Sequence, residues 1–168
     1  MKIKTREICL YGILGTLLFA LKFAMSSLPN IEPVSLLLIS YTVVFGIKAV
    51  YPLVAYIILE FLIYGFGFWS IGYLYIWFIL VILVITICKV SNNNKSPFLW
   101  ALIGGIFGLI FGALYIPLYV VSGGFAFAVT WWTSGLFYDV IHCVSNYILC
   151  LILFKPTTNI LLKLKNNQ

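Results

Sequence analysis

Apolar residues occupy most of the chain in long runs, and short polar segments separate these runs. A helix needs about 20 apolar residues to cross a hydrocarbon core of roughly 30 Å. The first run extends from residue 8 to 28, and Lys22 is the only charged residue within it. Runs of this length predict transmembrane α-helices.

The apolar stretch from residue 34 to 68 is too long for one crossing, because a helix rises about 1.5 Å per residue. Pro52 suits the first turn of a new helix, so the stretch is divided just before it. A polar loop at residues 91–97 and a loop beginning at Ser122-Gly123-Gly124 separate the later runs. The pattern therefore predicts a single all-α membrane domain over residues 1–168, with six helices at residues 8–28, 34–47, 52–68, 71–88, 98–121 and 131–154.

Composition supports the membrane assignment. Hydrophobic residues make up 64% of the chain and charged residues 8%, whereas soluble domains carry roughly 25% charged residues. So few charges could not cover the surface of a water-soluble fold of 168 residues. We therefore expect lipid to cover most of the surface.

The distribution of lysine and arginine predicts the orientation. With a cytoplasmic amino terminus, the three outer connections carry no lysine or arginine, as the positive-inside rule requires. The net charge of +6 then reflects topology and attraction to anionic lipid, and it does not indicate nucleic-acid binding. The first apolar run is longer than a signal-peptide core and contains Lys22, so an uncleaved helix is predicted. Both termini are predicted to be cytoplasmic, and the inner segments hold Lys2, Lys4, Arg6, Lys48, Lys89, Lys95, Lys155, Lys163 and Lys165.

Ionisable residues at membrane depth are costly, so their positions indicate function. Glu32, Glu60 and Asp139 all fall toward the predicted outer half. Asp139, His142 and Asn146 share one face of the sixth helix, because they are three and four residues apart. This face should point to the bundle interior or to a wet cavity. Hydrogen bonding between packed helices is the alternative interpretation.

Aromatic residues are more numerous around the predicted outer loops than on the inner side. An interfacial belt is one explanation, and a pocket for a planar, partly polar molecule is the other. The four cysteines are interpreted as apolar filler, and a single histidine argues against a metal site. The predicted substrate-binding residues are Asn30, Glu32, Glu60, Trp69, Tyr73, Trp131, Asp139, His142 and Asn146, with no catalytic or metal-binding residue and no cofactor.

Two stripes of small residues suggest close helix packing. Gly12, Thr16 and Ala20 recur every fourth residue in the first helix, a spacing that lets another helix approach closely. A similar stripe occurs in the fifth helix at Gly104, Gly108 and Gly112. Packing within the chain explains such stripes, and a docking face for a partner subunit on one of them is the alternative.

Three segments carry a resemblance to a known family: Leu28–Val34 with its two prolines, Gly65–Trp69, and Asp139–Asn146. Together with the chain's size, six predicted helices and the stripe beginning at Gly12, they resemble the substrate-binding S components of energy-coupling factor transporters. The resemblance implies an S-component-like bundle in a bacterial plasma membrane that binds a vitamin-like micronutrient at the outer face. The implied partners are a membrane coupling subunit, which would dock on Gly12, Thr16 and Ala20, and two cytosolic ATPase subunits.

The sequence itself contains no GxxxxGK[ST] phosphate loop, so ATP hydrolysis would have to occur on other chains. The protein is accordingly predicted to be a non-enzymatic carrier subunit. A self-sufficient small transporter is an alternative, although the two halves show no obvious inverted repeat. An intramembrane enzyme using Asp139, His142 and Glu60 for acid–base chemistry is another, and a structural scaffold is a third. The substrate stays open among pyridoxine-like, thiamine-related, queuosine-precursor and corrinoid compounds.

Overall fold

The computed structural model of the protein describes residues 5–92 and 95–166. Lys2, Lys4 and Asn93 lie outside the described residues. Within the described residues the fold is entirely helical, without any β-strand, which confirms the predicted all-α class. The α-helices are α1 Thr5–Ala24, α2 Val34–Phe45, α3 Val50–Tyr64, α4 Phe68–Val90, α5 Pro97–Ile110 and α6 Ile116–Asn166. Short 3₁₀ helices at Gly46–Ala49 and Ala113–Tyr115 precede α3 and α6.

Several helical stretches are long and apolar enough to cross a membrane. The helix α5 is equally apolar but has only 14 residues, or about 21 Å at 1.5 Å per residue. These lengths and compositions are compatible with a multi-pass membrane protein. The four longest stretches are Thr5–Ala24, Val34–Tyr64, Phe68–Val90 and Ala113–Asn166.

The fifth predicted helix, residues 98–121, is interrupted in the structure. The helix α5 ends at Ile110, and the chain tightens into a 3₁₀ turn before α6 begins at Ile116. The cause is a competing acceptor: the Gly112 amide donates a hydrogen bond of 3.0 Å to Asp139 Oδ1 and not to a carbonyl of its own helix. A long-range contact thus ends a helix that its apolar pattern alone would continue.

The last helix contains a chain reversal at its start and extends further than predicted. Gly124 has φ 84° and ψ 171°, a conformation that breaks the helix within the predicted glycine loop. After this break the helix runs through Pro156 to Asn166, whereas the sequence predicted an end at residue 154. Proline normally disrupts a helix interior, but Thr158 and Leu161 beyond it are buried, and Lys165 Nζ donates a hydrogen bond of 2.6 Å to the Val44 carbonyl at the end of α2.

Ion pairs at both ends of α1 show how the first helices are arranged. Glu7 pairs with Lys48, which lies just before α3, and Lys22 pairs with Glu60 near the end of α3. The two helices therefore run parallel, and the chain reverses between α2 and α3 at Gly46, where φ is 61°. We call the end that holds Glu32, Glu60 and Asp139 the acidic end, and the opposite end, with Lys48, Lys95 and Lys165, the basic end.

Close packing between α5 and α6 buries polar side chains at the acidic end. The glycines of the α5 stripe lie directly against the polar face of α6. A Cβ atom at Gly108 would lie 2.7 Å from the His142 carbonyl, and one at Gly112 would lie 2.5 Å from Asp139 Oδ2. As predicted, the face that carries Asp139 and His142 points into the protein. The α5 stripe is what allows these side chains to be buried.

Candidate ligand-binding site

Two adjoining cavities open at the acidic end. The larger, here called the lysine cavity, has a volume of about 580 Å³ and is lined by Lys22, Glu32 and His142 among others. The smaller, the aspartate cavity, measures about 270 Å³ and is lined by Asp139 and a group of aromatic rings. Small-molecule sites typically enclose roughly 300–1,000 Å³. The two cavities share four lining residues, namely Asn30, Trp69, Tyr73 and Phe111.

The lysine cavity contains an ion pair between α1 and α3. Lys22 Nζ lies 2.6 Å from Glu60 Oε2, and the Glu60 side chain is only 1% exposed. The same ammonium lies 4.7 Å from the ring centroid of Tyr73 and 5.4 Å from that of Tyr64. Cations are attracted to the faces of such rings. The pair and the rings together keep a charged lysine stable at this depth.

Glu32 lies between α1 and α2, where its partly buried side chain lines the same cavity. Burial raises the pKa of this carboxyl to about 7; the Lys22 ammonium opposes the rise, and the Glu60 carboxylate adds to it. Burial is the largest of these effects, because it disfavours the charged form. Glu32 therefore changes its charge near neutral pH.

His142 is the second polar group in the lysine cavity. Its side chain is 2% exposed, and its ring meets the Phe111 ring edge-on with centroids 4.8 Å apart. Among the described atoms, neither ring nitrogen has a hydrogen-bond partner. A neutral imidazole carries one donor and one acceptor. His142 can therefore both give and accept a hydrogen bond with a molecule in this cavity.

Asp139 presents one free carboxylate oxygen to the aspartate cavity. Its Oδ1 accepts the hydrogen bond from the Gly112 amide, and its side chain is 3% exposed. The Trp132 indole lies against the same carboxylate, without the geometry of a hydrogen bond. Oδ2 is therefore a buried acceptor, available to a ligand that carries a donor.

Aromatic rings form the remaining walls. Trp131 stacks on Tyr119 with centroids 3.9 Å apart and an angle of 24° between the rings. The Tyr115 hydroxyl donates a hydrogen bond of 3.0 Å to the Trp69 carbonyl, which connects the start of α4 with the segment before α6. Flat aromatic walls next to buried acceptors suit a planar, partly polar ligand.

Most of the predicted substrate-binding residues meet at this site. Asn30 is held in place by two contacts to α6: its side chain donates to the Tyr138 carbonyl and its own carbonyl accepts from Ser145, both at 3.0 Å. Glu60 lies behind Lys22 as its counter-ion. The residues that line the cavities are Asn30, Glu32, Trp69, Tyr73, Trp131, Asp139 and His142.

Asn146 has a different environment from the other members of the set. It is fully buried, and its Nδ2 donates a hydrogen bond of 3.1 Å to Ser35 Oγ on α2. Its backbone carbonyl lies against Gly104 of α5. Its Oδ1 has no partner among the described atoms, and Asn146 is not among the residues that line the two cavities.

The sequence reasoning did not assign Lys22, Phe111, Tyr115 or Trp132 to the site. Lys22 was detectable in principle, because it is the single charge within the first apolar run and such a charge needs a partner. Tyr115 and Trp132 belong to the aromatic residues that are numerous around the predicted outer loops, but no local pattern singled them out from the other rings there. Only the fold brings these particular rings beside Asp139.

The small-residue stripe of α1 is uncovered in this chain. Gly12, Thr16 and Ala20 line a shallow surface groove, and no heavy atom lies within 4 Å of a Cβ placed on Gly12. The buried face of α1 packs on α3, and at its edge Gly15 approaches Pro52 so closely that a Cβ would lie 2.7 Å from the Pro52 carbonyl oxygen. Among the described residues, none packs over the outer side of the stripe predicted for docking.

Within the part of the chain that the structure describes, no group of three His, Cys, Asp or Glu side chains could hold a metal ion. The chemistry on offer at the acidic end is recognition by carboxylates, an imidazole and aromatic faces. No protein-family model, curated protein or solved structure matches the chain.

Proposed function

We propose that the protein is the substrate-binding membrane subunit of an energy-coupling factor transporter for a vitamin-like micronutrient. The observation that carries this proposal is the pairing of two features on one small helical chain. An aromatic-walled site with buried free acceptors lies at the acidic end, and a small-residue stripe on α1 lies uncovered. Substrate capture needs the first feature, and docking on a second membrane protein needs the second.

In this function the acidic end faces the outside of a bacterial plasma membrane, and both termini face the cytoplasm. The helices cross the membrane six times, with residues 116–123 completing the path of α5. The clustering of Lys48, Lys95 and Lys165 at the opposite end supports this orientation. A membrane coupling subunit docks along the α1 stripe, and two cytosolic ATPase subunits supply the energy.

The six-crossing topology is tested by labelling single cysteines, introduced at Asn93 and Gly123, in a variant whose four native cysteines are replaced. A membrane-impermeant thiol reagent applied to intact cells should label position 123 and leave position 93 unlabelled until the membrane is opened. Labelling of both positions from the same side would contradict the topology.

The transporter assignment is tested by purifying the tagged chain from its native membranes in a mild detergent. Mass spectrometry should identify a membrane coupling protein and two ATPases in the complex, together with a bound small molecule released by denaturation. Gly12→Trp should remove the partner proteins, whereas Ile82→Trp on the exposed side of α4 should keep them. Purification of the wild-type chain without any ATPase would contradict the proposal.

A further inference from the structure

The charges at the acidic end do not balance. The Lys22 ammonium is bonded to Glu60 at 2.6 Å, and Glu32 lines the same cavity as a second carboxyl. Asp139 adds a third in the adjoining cavity. One lysine therefore offsets only one of three acids, and the site is electronegative whenever Glu32 is ionised.

The cavities also contain buried hydrogen-bonding groups without a partner among the described atoms. In the aspartate cavity these are an acceptor, Asp139 Oδ2, and a donor, Trp132 Nε1. His142, which is 2% exposed and lines the lysine cavity, has two unpartnered nitrogens, at least one of which accepts when the ring is neutral. A ligand donor would satisfy the free Asp139 oxygen, whereas a ligand acceptor would leave it unpaired.

The tyrosines complete the environment of a cation site. Tyr73 and Tyr64 present their rings to the Lys22 ammonium at 4.7 and 5.4 Å, so the cavity already stabilises one positive nitrogen through aromatic faces. Tyr73 also belongs to the wall that the two cavities share. Its position allows the same kind of contact with a second positive group that enters the site.

We propose that the two cavities bind an organic cation, namely a protonated nitrogen base with a flat apolar body. Its charged nitrogen pairs with Glu32 beside Tyr73, and a further donor reaches Asp139 Oδ2 between the aromatic walls. Lys22 stays on Glu60. This inference relies on the proposed function only in taking the acidic end as the substrate site, and it specifies the chemical class of the substrate.

An anionic ligand fits the site less well. To pair with Lys22, it would have to share the ammonium with Glu60, whose side chain is 1% exposed and depends on that counter-ion. The anion would also meet Glu32 and Asp139, two further negative groups. Charge and burial thus both favour a cation.

Binding of such a cation should depend on pH through Glu32. Burial raises the pKa of Glu32 to about 7, so the carboxylate that pairs with the ligand is lost as the pH falls below 7. The groups that face Glu32 are Lys22 of α1, Glu60 and Tyr56 of α3, Tyr73 of α4, Tyr115 of the segment before α6, and His142 of α6. Because several of them can titrate, a Glu32→Gln variant is needed to assign the effect.

The test compares three flat probes of nearly equal shape, benzamidinium, benzamide and benzoate, at millimolar concentration on the purified chain in lipid nanodiscs. Benzamidinium alone should raise the melting temperature at pH 8, and its affinity should fall about tenfold for each pH unit below 7. Glu32→Gln should weaken its binding at least tenfold and remove this dependence. Lys22→Gln frees the Glu60 carboxylate from its counter-ion and should strengthen the binding of benzamidinium.

The control is Glu7→Gln, which removes the carboxylate partner of a different lysine, Lys48, at the basic end and should leave probe binding unchanged. Size-exclusion chromatography confirms that each variant is folded. Equal stabilisation by benzamide, binding of benzoate that Lys22→Gln abolishes, or the absence of stabilisation by benzamidinium would each overturn the proposal. The assay uses the chain alone, so its outcome is independent of whether coupling and ATPase subunits co-purify.

Discussion

Lys22 and Glu60 are 38 residues apart in the chain and form an ion pair of 2.6 Å at the acidic end of the α1–α3 interface. Glu60 is almost fully inaccessible, and the lysine is partly covered by tyrosine rings. The pair therefore ties two helices together and at the same time sets the charge of the cavity beside it. The contribution of this ion pair to protein stability and its effect on ligand binding can be measured separately.

Breaking this pair from one side should destabilise the protein. Glu60→Gln or Lys22→Met alone should lower the free energy of unfolding by about 3–5 kcal/mol, because each leaves a buried charge without its partner. The double variant, Lys22→Met with Glu60→Met, should recover most of the loss. Denaturation in detergent micelles measures all three, and additive losses in the double variant would show that the pair is not coupled.

The unliganded protein should become less stable as the pH rises through neutrality. Glu32 has a pKa of about 7 in the folded protein against an ordinary value of 4.5, so its protonated form favours folding. This contribution is fully present below pH 4.5 and is lost as the pH rises through about 7. Melting temperatures from pH 5 to 8 should therefore decline in the wild type and less steeply in Glu32→Gln. Parallel curves for the two proteins would contradict the assignment.

Gly108 should tolerate no side chain, in contrast to Gly12. A Cβ on Gly108 would lie 2.7 Å from the backbone carbonyl of His142, and backbone cannot move aside as a flexible side chain can. Gly108→Ala should therefore cost about 1–3 kcal/mol through overpacking. Gly12→Ala serves as the control, because nothing lies within 4 Å of its Cβ. Thermal unfolding of the two variants measures the difference in stability. A melting temperature of Gly108→Ala equal to that of the wild type would mean that α5 and α6 can move apart at little cost in free energy.

A bulky residue on the α1 stripe should prevent partner binding while preserving the ligand site. Gly12→Trp and Thr16→Trp would fill the surface groove that a partner helix needs. Both should retain the benzamidinium affinity of the wild type and lose the co-purifying ATPases. Ile82→Trp, at an exposed position of α4, should retain both properties. If the ATPases remain bound to both stripe variants, α1 is not the docking face.

Substitution of Asp139 should change the affinity for the ligand, whereas substitution of Asn146 should change the stability of the fold. Asp139→Asn preserves an oxygen for the Gly112 amide but removes the charge, so binding of 4-aminobenzamidinium, which carries a further donor opposite the amidinium, should weaken by about 1.5–3 kcal/mol, roughly ten- to hundredfold. Asn146→Ala leaves the buried Ser35 hydroxyl without its partner and should cost about 1–3 kcal/mol of stability with unchanged affinity. Calorimetric titration measures the affinity of both variants, and thermal unfolding measures their stability. Reduced affinity in folded Asn146→Ala would show that Asn146 contributes to ligand binding.

The sequence by itself determined the helical class and the approximate positions of most helices. Backbone groups in an apolar environment must be satisfied within their own segment, so each apolar run folds as a helix whatever its neighbours are. The spacing of Asp139 and His142 likewise placed them on one face, and glycine at position 124 allowed the chain reversal. These are local properties with periods that a sequence displays directly.

Tertiary structure alone decided the features that depend on residues distant in sequence. The Asp139 carboxylate takes the Gly112 amide and ends the fifth helical segment, while α6 continues through Pro156 to Asn166, bonded to the end of α2. Lys22 acquires Glu60 as its counter-ion, and Asn146 faces Ser35 and not the cavities. Each outcome reflects a competition for a hydrogen bond or a charge partner across a helix interface, and no local pattern records which competitor is nearest in space.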